Sequence, residues 1–147
     1  MSKVTSLYHI VFATKGRERT INEAHAEKLY RYIWSIISRH NCKLLRIGGI
    51  EDHIHILIIL HPSVALAALV RDIKSASSGW LVQSPDFPFF TAWASEYFAA
   101  TLSWEDREKV IYYIKSQREH HLHLSQQDEF RRLVEQTGLI YHDNDFK

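Results

Sequence analysis

His53-Ile54-His55, set between Asp52 and the apolar run over 56–60, is where the residue types most plainly invite chemistry. Successive side chains on a strand point to opposite faces, so the two imidazoles would share one face, with an isoleucine turned to the other. Two same-face imidazoles are part of a clamp for a divalent cation. Taken alone, His-x-His more often describes a polar stripe on a half-exposed strand. Further residues have to decide.

Tyr113 and Gln117 are those residues. Side chains four apart are neighbours on a helix, so the phenol and the amide can address one point. Val110, Tyr113, Ile114 and Gln117 also fall at the spacing of an apolar stripe packing on a sheet, which is the competing explanation. Tyr112 is a rival nucleophile, but it points about 100° away on a helix, and Ser116 would be its poor partner for a hard cation. His120, His121 and His123 look like a metal cluster, yet they follow the tyrosine helix and could as easily cap its C-terminal dipole or face solvent, which is the favoured reading. His61, beyond the strand, reads as a loop residue.

The periodicity of the chain supplies the elements that would hold these groups. Residues 7–14 alternate Tyr8, Ile10 and Phe12 against His9, Val11 and Ala13, a strand apolar on both faces and therefore central. Asn22 caps a helix with the stripe Leu29, Tyr32, Ile33, Ile36 and Ile37. Strands over 43–50 and 53–60 are separated only by Glu51-Asp52, which demands an antiparallel hairpin. Pro62 and Ser63 start a second helix carrying Leu66, Leu69, Val70, Ile73 and Trp80, broken at 84–88. A fourth strand covers 97–102. Ser103 with Asp106 then caps a helix through about Glu119, and Ser125 with Asp128 opens a last short helix ending near Gly138.

This order is β-α-β-β-α-β, an α+β, ferredoxin-like split β-α-β sheet. It is antiparallel, with its two crossover helices on one face and the other face left open, followed by a C-terminal helix that carries Tyr113. One domain is expected over 1–147, with the core in 1–102 and the tyrosine helix and tail in 103–147. Eighteen basic against seventeen acidic residues leave a net charge of +1, so a partner held by bulk charge alone is excluded and any nucleic-acid contact must be local. Cys42, the sole cysteine, excludes an internal disulfide and reads as a small core residue. The longest aliphatic run is too short to cross a bilayer, so a soluble cytoplasmic protein without a membrane partner is expected.

The His-x-His triplet and the Tyr-x-x-x-Gln helix stand among further short motifs. Tyr8-His9-Ile10-Val11-Phe12-Ala13-Thr14-Lys15 and the lead-in Gly49-Ile50-Glu51-Asp52 precede the triplet, and Trp93 through Tyr97-Phe98 lies between the triplet and the tyrosine helix. After them come Glu119-His120-His121, Asp128-Glu129-Phe130, Leu133 and Gly138-Leu139-Ile140-Tyr141. In order and spacing the whole set resembles the Y1 family of HUH single-strand transposases, the IS200/IS605-like group with its relatives associated with repetitive extragenic palindromes. Glu96 stands where a glycine often precedes the Tyr97-Phe98 pair, and the tail over 142–147 is less acidic and aromatic than is common. Neither departure touches a catalytic group.

The resemblance implies Tyr113 as nucleophile and His53, His55 and Gln117 as ligands of Mg²⁺ or Mn²⁺. It also implies single-stranded DNA as partner, including hairpin ends of a mobile or repetitive element, and a homodimer. The chemistry is coherent with the residue types. A phenoxide can hold the 5′ side of a broken strand as a phosphotyrosine ester while a 3′-hydroxyl leaves, so the bond is exchanged rather than hydrolysed. A phenol with a free pKa near ~10 needs help, which a cation gives by neutralising charge on the phosphoryl oxygens. Two imidazoles and one amide oxygen by themselves lean towards Mn²⁺.

Lys15, Arg17 and Arg19 in the first connector, and Arg71 and Lys74 on the second helix, are the candidate phosphate contacts. Most of the tryptophans, including Trp34 and Trp80, are expected in the core. Two readings from other classes compete. A non-catalytic module could bind single strands on its sheet, although the strands lack the aromatic signature of RNA recognition motifs. A metal-dependent nuclease could use His53 and His55 to activate water, and would not need Tyr113.

Overall fold

A computed structural model of the chain describes residues 2–120 and 125–142. Its elements are β1 (Leu7–Ala13), α1 (Ala26–Arg39), β2 (Lys43–Ile50), β3 (His53–Ile59), α2 (Leu66–Gln83), β4 (Phe98–Leu102), α3 (Arg107–Lys115), α4 (Gln117–His120) and α5 (Gln126–Gln136). The strands form one antiparallel sheet in the order β2-β3-β1-β4, the α+β, ferredoxin-like arrangement expected from the order of elements. β1 is central, as its two apolar faces require.

Alternation along the strands divides the core in two. Ile10 and Phe12 of β1 and Ile54, Ile56 and Ile58 of β3 turn towards α1 and α2, where they meet Leu29, Ile33, Ile36, Ile37, Leu69, Val70 and Ile73, all buried. Full burial of each such side chain contributes about 1.5–3 kcal/mol, so this face carries most of the apolar stabilisation. Asn22 accepts a hydrogen bond from the His25 N–H at 3.1 Å, one turn before regular helix begins at Ala26. Ser77 accepts from the Trp93 indole at 2.9 Å and donates to the Ile73 carbonyl at 2.6 Å, tying the approach to β4 onto α2. Trp80 packs partly buried against this core, stacked on Tyr32.

Trp34 departs from expectation. It is 56% exposed, because the buried stripe of α1 runs through Ile33 and Ile37 and the next residue along points about 100° away. With Tyr30, Arg46 and exposed Tyr112 it lines a groove of about 1020 Å³ between α1, the edge of β2 and the α3–α4 junction.

The opposite face of the sheet is not open. Val11 and Ala13 of β1 and Phe98 of β4 pack there against Phe130 and Val134 of α5, while α3 lies over β2 and β3. Gly48 permits the approach of α3, since a Cβ at that position would stand 3.0 Å from the Ile114 carbonyl oxygen. The expected helix through Glu119 is interrupted at Ser116, so Tyr113 sits in the last turn of α3 and Gln117 begins α4. Ser103 and Asp106 meet side chain to side chain at 3.0 Å, across a short 3-10 turn (Trp104–Asp106), instead of capping α3 through the backbone. Ser125 caps α5 as its spacing predicts, accepting from the Asp128 N–H at 3.2 Å. Of the histidines after α3, His121 and His123 lie outside the described residues, as does the tail beyond His142.

Candidate metal and tyrosine site

The β2–β3 hairpin presents the imidazoles. Its turn is held by the connector after β1: the Thr14 N–H donates to the Asp52 carbonyl at 2.9 Å, and the Thr20 and Ile21 N–H groups both donate to the Glu51 carbonyl. β1 pairs with β3 so that Val11 faces His55 and Ala13 faces His53. Small and branched neighbours thus leave both rings pointing into the space below α3 and α5, where each is fully buried.

Four further side chains converge there. The Asp52 carboxylate accepts a hydrogen bond from His53 Nδ1 at 2.8 Å. Gln117 Oε1 lies 3.1 Å from His53 Nε2, and the Gln117 amide donates to the Tyr113 carbonyl at 3.2 Å, which fixes the side chain across the α3–α4 break. Glu129, buried on α5, places one carboxylate oxygen 3.1 Å from His55 Nε2 and the other 3.3 Å from His53 Nε2. The Tyr113 phenol donates to that same carboxylate. Its ring stands edge-on to His55, with centroids 5.4 Å apart.

His9 completes the arrangement from β1. Its Nε2 lies 2.9 Å from His55 Nδ1, with the two rings stacked at 5.1 Å. The Tyr113 ring meets His9 edge-on at 6.0 Å.

Burial and charge set the protonation states. Burial works against a charge on His53, but hydrogen bonds to Asp52 and Glu129 outweigh it and raise the pKa from 6.5 to about 9. His9 goes the other way: burial, reinforced by His55, lowers it to about 3, so the ring is neutral. Burial and the adjacent Glu129 carboxylate push the Tyr113 phenol well above its ordinary range, and it is held protonated.

These groups fit a divalent cation. The ligating atoms of His53, His55 and Glu129 lie within 4.8 Å of one another, and Gln117 adds an amide oxygen beside them. Two imidazole nitrogens with carboxylate and amide oxygens form a mixed set of borderline hardness, suited to Mn²⁺ and acceptable to Mg²⁺.

The structure therefore brings together His53, His55, Tyr113 and Gln117, all within one chain. Tyr112 is 67% exposed and points away from the site. His61 forms a local hydrogen bond with Ser63 beyond β3. Of the candidate phosphate contacts, Arg17 lies beside the site, its guanidinium 5.0 Å over the Phe130 ring and 3.3 Å from the Tyr141 hydroxyl. Lys15 shares its 3-10 turn, and Arg19 pairs with Glu51 at the surface. Arg71 and Lys74 sit on α2, across the sheet from the imidazoles. Arg71 is beside Asp72, and the Lys74 ammonium donates to the Ala94 and Ser95 carbonyls.

Glu129 and His9 were not singled out in the sequence as site residues. Each carried a signal. Glu129 falls on the buried stripe of α5 with Phe130, Leu133 and Val134, where a carboxylate needs a partner. His9 interrupts the apolar alternation of a central strand.

Residues 2–117 match the model of the family described as IS200-like transposases. The ISDra2 transposase TnpA of Deinococcus radiodurans is 24% identical over 117 residues, covering 76% of this chain and 84% of that protein. Among solved structures, a putative transposase from Deinococcus radiodurans superposes with a TM-score of 0.59 at 23% identity, over 79% of this chain and 93% of the other. A REP-associated tyrosine transposase bound to a REP hairpin gives a TM-score of 0.64 at 14% identity, over 100% and 94%.

Proposed function

The chain belongs to the IS200-like transposase family, and we propose that it cleaves and rejoins single-stranded DNA through a covalent bond between Tyr113 and the 5′ phosphate. The observation that carries this reading is the placement of the Tyr113 phenol against Glu129 and edge-on to His55, in the site where His53, His55, Glu129 and Gln117 converge. A water-activating nuclease would have no use for a tyrosine held there.

In the forward step the phenol oxygen attacks phosphorus and forms the phosphotyrosine ester as the bond to the 3′ oxygen breaks. The phenol proton passes to the Glu129 carboxylate that already accepts its hydrogen bond, and the 3′ oxygen leaves as a hydroxyl by taking a proton from solvent water. Attack by a DNA 3′-hydroxyl on the ester reverses the sequence, so the phosphodiester energy is conserved. A bound Mg²⁺ or Mn²⁺ would supply charge neutralisation at the phosphoryl oxygens. His53, His55, Gln117 and Glu129 are the residues that would hold it.

Arg17 and Lys15, on the connector next to α5, are the cations best placed for the flanking phosphates. Hairpin ends are the proposed substrate, by analogy with the solved relative bound to a REP hairpin. The site assembles within one chain, so the homodimer implied by the resemblance would not be needed to bring the tyrosine to the imidazoles.

The test is incubation with labelled single-stranded hairpin oligonucleotides and Mn²⁺. A protein–DNA adduct resistant to denaturation and absent from Tyr113→Phe is expected. Free cleaved product that persists in Tyr113→Phe would overturn the reading in favour of activated water, and binding without cleavage would leave a recognition module.

A further inference from the structure

We infer that His9 is a positioning residue, whose Nε2 accepts the Nδ1 proton of His55 and so keeps the His55 Nε2 lone pair aimed at the cation site. The inference rests on the proposed cation site and goes beyond it, because it assigns a task to a residue outside the candidate ligand set.

A neutral imidazole has one N–H and one lone pair. His55 presents Nε2 to Glu129, on the side where the candidate ligands converge, and Nδ1 to His9 Nε2 at 2.9 Å. For Nε2 to ligate, the ring proton must reside on Nδ1, and a buried N–H there needs an acceptor. His9 Nε2 is the atom that the fold places there. A carboxylate would meet the same need while adding a negative charge, whereas a neutral ring leaves the charge of the site to Asp52 and Glu129.

The rest of the environment of His9 fixes its ring. It stacks on His55 with an interplanar angle of 23°, and Phe98 and Tyr113 each meet it edge-on, at 6.1 and 6.0 Å. β1 is an inner strand, hydrogen-bonded on both sides, and Ala100 faces His9 across the β1–β4 ladder. The ring therefore has little room to turn, and the His55 proton has a defined destination. Asp52 performs the corresponding service for His53, accepting from Nδ1 at 2.8 Å and leaving Nε2 towards Gln117 and Glu129. The two imidazoles are thus oriented by two different second partners, one acidic and one neutral.

Two substitutions separate positioning from packing. His9→Gln keeps an amide oxygen that can reach the place of Nε2; His9→Leu fills similar volume with no acceptor. Mn²⁺ binding to the full chain, measured by calorimetry without DNA, should weaken about 10–100-fold in His9→Leu and stay within about threefold of wild type in His9→Gln. Both variants should unfold at similar temperatures without metal. In protein with ¹⁵N-labelled histidine and saturating Mg²⁺, His55 should carry its proton on Nδ1 in wild type and in His9→Gln.

Wild-type Mn²⁺ affinity in His9→Leu, or an equal loss in both variants, would overturn the inference while leaving the cation site intact. A wild type that binds no Mn²⁺ would instead count against the cation site. The inference would fail separately if His55 carried its proton on Nε2 in wild type at saturating Mg²⁺.

Discussion

The Tyr113 phenol donates to the carboxylate of Glu129, and that carboxylate also faces Nε2 of both His53 and His55. One buried group on α5 thus links the candidate nucleophile to the candidate cation ligands. Glu129→Gln keeps the shape and removes the charge. Mn²⁺ affinity is expected to fall at least about tenfold, equivalent to 1.4 kcal/mol, measured by calorimetry on the DNA-free protein. The Tyr113 phenol, relieved of the adjacent carboxylate, should also ionise at lower pH than in wild type, followed by NMR of ring-labelled tyrosine. Unchanged Mn²⁺ affinity would reduce Glu129 to a hydrogen-bond acceptor for the phenol.

Gly48 and Gly49 make a graded prediction about how the site is framed. A Cβ on Gly49 would lie 2.2 Å from the His53 carbonyl oxygen, backbone that cannot withdraw without opening the hairpin. Gly49→Ala should therefore destabilise by about 1–3 kcal/mol or more, seen as a lower denaturation midpoint. At Gly48 the added methyl would stand 3.0 Å from the Ile114 carbonyl. Gly48→Ala should shift α3 by a few tenths of an ångström, with a smaller stability loss than Gly49→Ala but a clear drop in adduct formation by Tyr113. Equal effects of the two substitutions on stability would contradict this division.

The sheet and its hairpin were legible because period-two alternation and a two-residue turn leave few alternatives. Residues 43–50 and 53–59 could hardly pair otherwise. The covered face was less legible. Helix α5 announces itself by the Ser125 cap, yet its target depends on Val11, Ala13 and Phe98 coming together from two separate strands, which no local pattern encodes. What Glu129 pairs with was hidden for the same reason: its partners, His53, His55 and Tyr113, lie far off in sequence. Trp34 was misplaced by residue type. Tryptophan is usually buried, but its angular position on α1, one residue past Ile33, decided in favour of the groove.

His40 and Asp72 tie the end of α1 to α2 and should leave a pH signature. His40 donates from Nδ1 to the Ile36 carbonyl at 2.9 Å and from Nε2 to Asp72 at 2.9 Å, and these two bonds raise its pKa above 6.5. A raised folded-state pKa means a contribution fully present below the unfolded value and lost as pH rises through the folded one. Asp72, lowered from 3.8 chiefly by the hydrogen bond to His40, loses its part as pH falls through its depressed value. The melting-temperature gap between wild type and Asp72→Asn should be widest between the ordinary carboxylate and imidazole values, at about pH 5, and narrow as pH rises through the raised His40 value. A gap constant across that range would show that the pair does not couple to folding.

Cation binding at His53 has to displace a proton. Its pKa is raised to about 9 because, against the cost of burial, Nδ1 is bonded to Asp52 and Nε2 faces Glu129. In the metal-free protein this contributes stability that is complete below 6.5 and is lost as pH rises through about 9. A cation at Nε2 takes the place of that proton, so uptake should release close to one proton per ion between pH 6.5 and 9. Apparent Mn²⁺ affinity should then rise about tenfold per pH unit over this window and level off above it. Calorimetry in buffers of differing ionisation heat reads the proton directly. Asp52→Asn, which removes the main support of the charged ring, should flatten the slope and move the plateau to lower pH. Binding with no proton release in wild type would mean that His53 is not a ligand, and would return the triplet to the polar stripe its sequence also allowed.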